Sequence, residues 1–132
     1  MPSAPEPLDR RDLQRFIDAS GADAVILPMT VPTPSVSAAA EALAVSAEQI
    51  IKSLLFQLDG HPLLVITSGL ARADRRKLAA YLRVGRKRVR FASPKQVLSI
   101  TGYAVGGMPP FGHRTPLRTL LDAGIRRLDT VF

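Results

Sequence analysis

Residues 101–113, Thr-Gly-Tyr-Ala-Val-Gly-Gly-Met-Pro-Pro-Phe-Gly-His, restrict the fold more than any other stretch. Four glycines and two adjacent prolines cannot sit inside a helix or a strand. Glycine costs roughly 1 kcal/mol in a helix and each proline removes a backbone donor. The run predicts a shaped, stiff loop in which glycine permits positive φ or a close approach, and proline rigidifies the neighbouring backbone. At least one of Gly106 and Gly107 is expected at positive φ, with a side chain at either projecting into whatever the loop holds. A bent corner of a sheet produces a similar pattern.

The rest of the chain has to supply the core for this loop. With 132 residues, 46% of them hydrophobic, there is material for one domain and one core. There is no cysteine, which excludes disulfides, thiolate metal sites and a cysteine nucleophile. No run nears the ~20 apolar residues of a membrane span, and residues 1–7 do not read as a signal peptide. A soluble, cytoplasmic protein is expected. Charge is divided unequally. Residues 1–71 carry four basic and eight acidic side chains, whereas residues 72–132 carry fourteen and three. Nine basic residues lie between Arg72 and Arg90, opposed only by Asp74. That density attracts polyanions, with nucleic acid the default partner. A solvated face in an arginine-rich protein gives the same count.

Residues 1–7 read as a proline-rich flexible leader, and residues 8–132 as a single domain. Asp9 caps a helix carrying Leu13, Phe16 and Ile17, stopped by Gly21. Residues 24–27 suggest a short strand, residues 28–35 an extended loop, and residues 37–43 an alanine-rich helix. Ser46-Ala47-Glu48-Gln49 is a capping box. Period two then sets in, with Lys52, Leu54, Phe56 and Leu58 on one face. Asp59-Gly60 signals a hairpin whose return strand is 62–67. Asp74 caps a basic helix with Gly85 as its stop; a strand comes next over 89–92, and Ser93-Pro94-Lys95-Gln96 opens another helix. Residues 117–121 and 128–132 are the last strand candidates. The expected class is α+β with a mixed sheet.

Few residues suit chemistry. Lys52 stands in register with Leu54 and Phe56 on an apolar face, where a charge is costly unless it serves a ligand. Snorkelling from the strand end is the bland alternative. His61 falls on the hairpin tip. His113 closes the glycine-rich run and titrates near neutral pH, as an ordinary surface histidine also would. No metal-ligand spacing, phosphate-binding loop or nucleophile elbow is present. An enzyme built on this chain would rely on backbone donors, a positioned water and its own substrate.

Three landmarks resemble the YbaK-type proteins, related to the editing domain inserted in bacterial prolyl-tRNA synthetases. Gln49-Ile50-Ile51-Lys52-Ser53-Leu54-Leu55-Phe56 is similar to the family's lysine-bearing strand. Gly69 followed by Asp74-Arg75-Arg76-Lys77-Leu78-Ala79 is similar to its Gly-x-x-x-x-Asp-x-x-Lys-Leu-Ala step. Residues 101–112 resemble its Thr-Gly-Tyr-x-x-Gly-Gly-x-x-Pro-x-Gly signature. The resemblance spans about residues 28–132. It implies a curved, mixed, mostly antiparallel sheet approaching a barrel and flanked by helices, and a metal-free, cofactor-free aminoacyl-tRNA deacylase acting in trans on mischarged tRNA-Pro or a related tRNA. Lys52 and Gly107 would then be catalytic. Thr30, Thr33, Ser53, Gly102, Gly106, Pro110, Phe111, Gly112 and His113 would line the substrate site. Arg72, Arg75, Arg76, Lys77, Arg86, Lys87 and Arg88 would hold RNA. The implied partners are the aminoacylated acceptor end of tRNA and an aminoacyl-tRNA synthetase, with no membrane. The resemblance also implies a further glycine-containing strand pair in relatives, so the domain over 8–132 is expected either to be without the family's last C-terminal element or to be shorter than its relatives. A non-catalytic RNA- or synthetase-binding module of the same fold is the rival reading. The oligomeric state stays open.

Overall fold

The computed structural model describes residues 6–132. Four α-helices, α1 (Arg10–Ser20), α2 (Val36–Leu43), α3 (Arg75–Leu82) and α4 (Pro94–Thr101), surround four strands, β1 (Ile51–Leu58), β2 (His61–Ser68), β3 (Val89–Phe91) and β4 (Arg118–Leu121). The expected α+β class holds. The sheet runs β3-β1-β2-β4, antiparallel except for the parallel β2–β4 pair, and it is open, with β3 and β4 at its edges.

The hairpin forms where expected, because Asp59 (φ 51°) and Gly60 (φ 81°) both take the positive φ that a type I′ turn needs. It sets Leu58 opposite His61 and Lys52 opposite Thr67. Period two divides the core between the two sheet faces. Phe56, Leu63 and Val89 pack with Ala79 of α3 on one face; Leu64 and Ile66 pack with Ile125 on the other, where Met108 and Leu117 join them. The starts of the helices follow the sequence closely. Asp9 accepts from the Arg11 and Asp12 amides, and the Ser93/Gln96 capping box closes at 3.2 and 2.8 Å.

Several expectations change. Residues 24–27 pair with no strand among the described residues, and Val25 is 82% exposed; prolines at 28, 32 and 34 keep this stretch irregular. Residues 128–132 form no ladder. Instead Phe132 donates to the Gln49 carbonyl and accepts from Ile51, while the Thr130 carbonyl accepts from the Gln49 side chain at 3.3 Å. Gly85 is not the stop of α3. Arg83 takes the left-handed turn (φ 57°) and Val84 donates back to Ala79, because Val84 packs into the core and draws the chain round early. Of the 1–7 leader, residues 1–5 lie outside the described residues, while the Glu6 carbonyl accepts from Arg114 at 2.6 Å.

Candidate active site

The outer edge of β1 is covered at both ends and bare between them. At one end β3 pairs with residues 56–58, and the Ala92 amide extends this by donating to Leu55 at 3.0 Å. At the other the Ile51 amide donates to Phe132 at 2.8 Å. A cavity of about 320 Å³ opens between these ends. Lys52 and Ser53 form its floor, Phe91, Ala92 and Val97 one wall, and Val105, Gly106 and Met108 the other. It sits at the small end of the range for ligand clefts. Lys52 carries the only ionisable side chain in that lining. Opposite it on β2, the buried Thr67 hydroxyl has no hydrogen-bond partner among the described residues.

The glycine-rich run is held from behind. Thr101 Oγ1 donates to the Val97 carbonyl at 2.7 Å and accepts from the Tyr103 amide at 3.0 Å, fixing the loop to the last turn of α4. Gly102 ends that helix at φ 86°, and its carbonyl accepts from Leu8 at 2.7 Å. The Arg114 amide donates to the Thr101 carbonyl at 2.8 Å and closes the loop. Inside it, Gly107 donates to Ala104 at 3.1 Å, and Gly106 (φ 88°) occupies the third turn position that type II geometry reserves for glycine. This turn carries Val105 and Gly106 to the cavity.

The expected substrate residues are thereby divided. Lys52, Ser53 and Gly106 meet in the cavity. Gly107 instead lines a separate hollow with Leu8, Leu13, Tyr103 and Pro109 at the start of α1. A Cβ on Gly107 would meet nothing closer than the Ala104 oxygen at 3.9 Å. Gly102 faces Leu8, just ahead of α1, and Phe111 and Gly112 face α1 itself: Phe111 stacks on Phe16 with ring centres 5.5 Å apart, and a Cβ on Gly112 would lie 3.2 Å from Leu13 and Phe16. His113 shares a 2.7 Å hydrogen bond with the Pro109 carbonyl and meets Tyr103 edge-on. Burial pushes its imidazole below the ordinary value, and the Pro109 bond offsets part of that shift. Pro110 is half-buried in the loop; Thr30 and Thr33 are exposed in the irregular segment and do not line the cavity.

The basic residues separate likewise. Arg72 and Lys77 rim a groove of about 750 Å³ between α3 and β4, joined by Arg126, over a floor of Phe56, Val65, Leu78 and Leu120. Its two acidic neighbours are engaged in capping, Asp74 with the Arg76 amide and Asp122 with the Gly124 amide. Arg75, Arg76 and Arg86 are exposed. Lys87 and Arg88 lie over the hairpin turn, where Arg88 grips the Asp59 carboxylate and holds it below the usual carboxylate range. Arg88 is therefore largely matched within the chain. Among the described residues no three of His, Asp and Glu gather to hold a metal ion.

Sequence reasoning overlooked Val97, Arg126 and the two ends of the bare edge. Val105 and Met108 stood inside the informative run and were available to it. Where β3 stops and where residue 132 docks are long-range facts that no local pattern encodes.

The model of the aminoacyl-tRNA editing domain matches residues 30–132. The chain belongs to the aminoacyl-tRNA editing domain family. It is 35% identical over 99 residues to YwhH of Bacillus subtilis (strain 168), an uncharacterized protein, covering 74% of this chain and 61% of YwhH. It is 35% identical over 95 residues to proline–tRNA ligase of Nitratidesulfovibrio vulgaris (strain DP4), covering 70% of this chain and 16% of the ligase. A crystal structure described as a proposed trans-editing enzyme for prolyl tRNA synthetase superposes with a TM-score of 0.79 at 32% identity, covering 87% of this chain and 72% of that one. The chain thus spans about three fifths of YwhH and a small part of the ligase.

Proposed function

We propose that this editing domain is a trans-acting aminoacyl-tRNA deacylase that hydrolyses the ester of a mischarged tRNA, tRNA-Pro or a related one, in the cavity at the bare edge of β1. The observation that carries this reading is the convergence of Lys52, Ser53 and the Gly106 turn on one small cavity with no other ionisable side chain. Such a lining has no general base of its own. Its contribution is to place the ester, exclude bulk water and set charge where the transition state needs it.

Hydrolysis adds a water oxygen to the acyl carbon and breaks the bond to the ribose oxygen, which takes a proton. The substrate supplies the acid–base partner through the neighbouring ribose hydroxyl or its own side chain. Lys52 offsets negative charge at the acylated end of the tRNA. Gly106 keeps the wall free of a side chain. Arg72 and the α3 cations Arg75, Arg76 and Lys77, with Arg86 and Lys87, draw in the phosphate backbone. Arg88 contributes less, being matched by Asp59. The cytoplasm is the fitting compartment, and a synthetase that discharges errors onto this protein is the fitting macromolecular partner.

The test is a deacylation assay over mischarged tRNAs, tRNA-Pro included, beside tRNA binding as a function of salt. The expected result is rapid hydrolysis of at least one mischarged species, with log affinity falling against log salt at about −0.7 to −0.9 per phosphate contact. Binding without hydrolysis of any member would replace the deacylase with an RNA-binding module.

A further inference from the structure

Successive residues of a strand turn their amide and carbonyl to opposite edges. Ile51 directs its amide to the outer edge of β1, at Phe132; Leu55 directs its carbonyl there, at Ala92. Ser53 lies midway and turns both its N–H and its C=O to that same edge. Neither β3, whose pairing covers residues 56–58, nor any other group among the described residues bonds to them. Both groups border the cavity that Ser53 lines with Lys52 and Gly106. The bare stretch of this edge is centred on the Ser53 donor and acceptor, with the Ile51 carbonyl and Leu55 amide beside them and the bonded Ile51 amide and Leu55 carbonyl closing it at either end, a gap that fits one amino acid opposite Ser53.

Resting on the editing reading above, we propose that the Ser53 peptide group recognises the aminoacyl moiety as a partner strand would. The Ser53 N–H donates to the acyl carbonyl oxygen, and the Ser53 C=O accepts from the α-ammonium group. An aminoacyl ester carries this donor and acceptor on adjacent carbons, as a residue in a strand does, and so matches the doubly bonded pair of an antiparallel ladder. The pairing is blind to the side chain, leaving selectivity to Val97, Val105 and Met108. The bond to the carbonyl strengthens as the oxygen gains charge, because charge-assisted bonds are the stronger kind. Ser53 is thus a positioning and carbonyl-polarising residue through its backbone.

The direct probe is the Ser53 amide in a 15N–1H spectrum during titration with 3′-alanylamino-3′-deoxyadenosine, an amide that cannot hydrolyse as the ester does. A downfield shift of Ser53 and slower exchange of its proton are expected. The companion variant replaces serine 53 with its α-hydroxy-acid counterpart, turning that one amide into an ester while keeping the side chain. Because this N–H faces away from β2, the hairpin ladder keeps its donors. Deacylation should fall at least tenfold, with tRNA affinity unchanged. Loop shifts without Ser53, or an undiminished rate in the backbone ester, would overturn the proposal and leave the deacylase reading standing. A protein that deacylates nothing yet shifts Ser53 with the analogue would keep the recognition and lose the enzyme.

Discussion

Gly102 and Gly107 stand five residues apart and do different work. Gly102 needs its φ of 86° to end α4, and a Cβ there would come within 2.5–2.7 Å of the Leu8 side chain. Gly107 has ordinary φ and open space around it. Gly102→Ala should therefore cost about 1–3 kcal/mol, lowering Tm by roughly 5–10 °C. Gly107→Ala should shift Tm by no more than about 2 °C. Thermal melts of the two variants check this. The sequence showed that the run was a shaped loop. It could not show that most of the run grips α1 while only Val105, Gly106 and Met108 reach Lys52. Lys52 itself was legible, because a lysine in register with Leu54 and Phe56 violates the pattern around it. The unpartnered Thr67 hydroxyl opposite it violates no pattern and gave no signal.

Helix α1 is the element that holds the loop. Its Leu13 and Phe16 receive Gly112 and Phe111, and the residues leading into it bond to Gly102 and Arg114. Phe16 is 38% exposed, so Phe16→Ala should cost about 1–2 kcal/mol, below the 3–5 typical of a fully buried phenylalanine. Hydrogen exchange should quicken across residues 102–113 and stay unchanged in the β1–β2 hairpin. Equal loss of protection in both would show that α1 supports the whole fold and not the loop in particular. Elements with local chemistry were readable: both capping boxes, the Asp59-Gly60 turn and the Asp74 cap all form. Gly85 misled because the burial of Val84, a tertiary effect, ends α3 three residues earlier. Residues 24–27 misled because an apolar run becomes a strand only where a neighbour offers an edge.

At the scale of the molecule, the acidic first half and the basic second half fold together, yet their charges stay largely apart. The described ion pairs of Arg11 and Arg15 are local to α1, and Arg88 with Asp59 is the one that joins the two halves. The cations of α3 are left to face solvent and the groove beside β4, while the small cavity with Lys52 opens at the other side of the hairpin, on the edge of β1. Under the proposed function, long-range attraction and local chemistry therefore fall on different surfaces, and Lys52 can be altered without removing the basic residues. The most direct test is single-turnover hydrolysis of the mischarged tRNA cleaved fastest by the wild type, compared with Lys52→Ala at equal occupancy. The account predicts a rate at least a hundredfold lower, about 2.7 kcal/mol in the barrier, with Tm and the salt dependence of tRNA binding nearly unchanged. A variant that hydrolyses the ester at close to the wild-type rate would contradict the assignment of the β1-edge cavity as the active site.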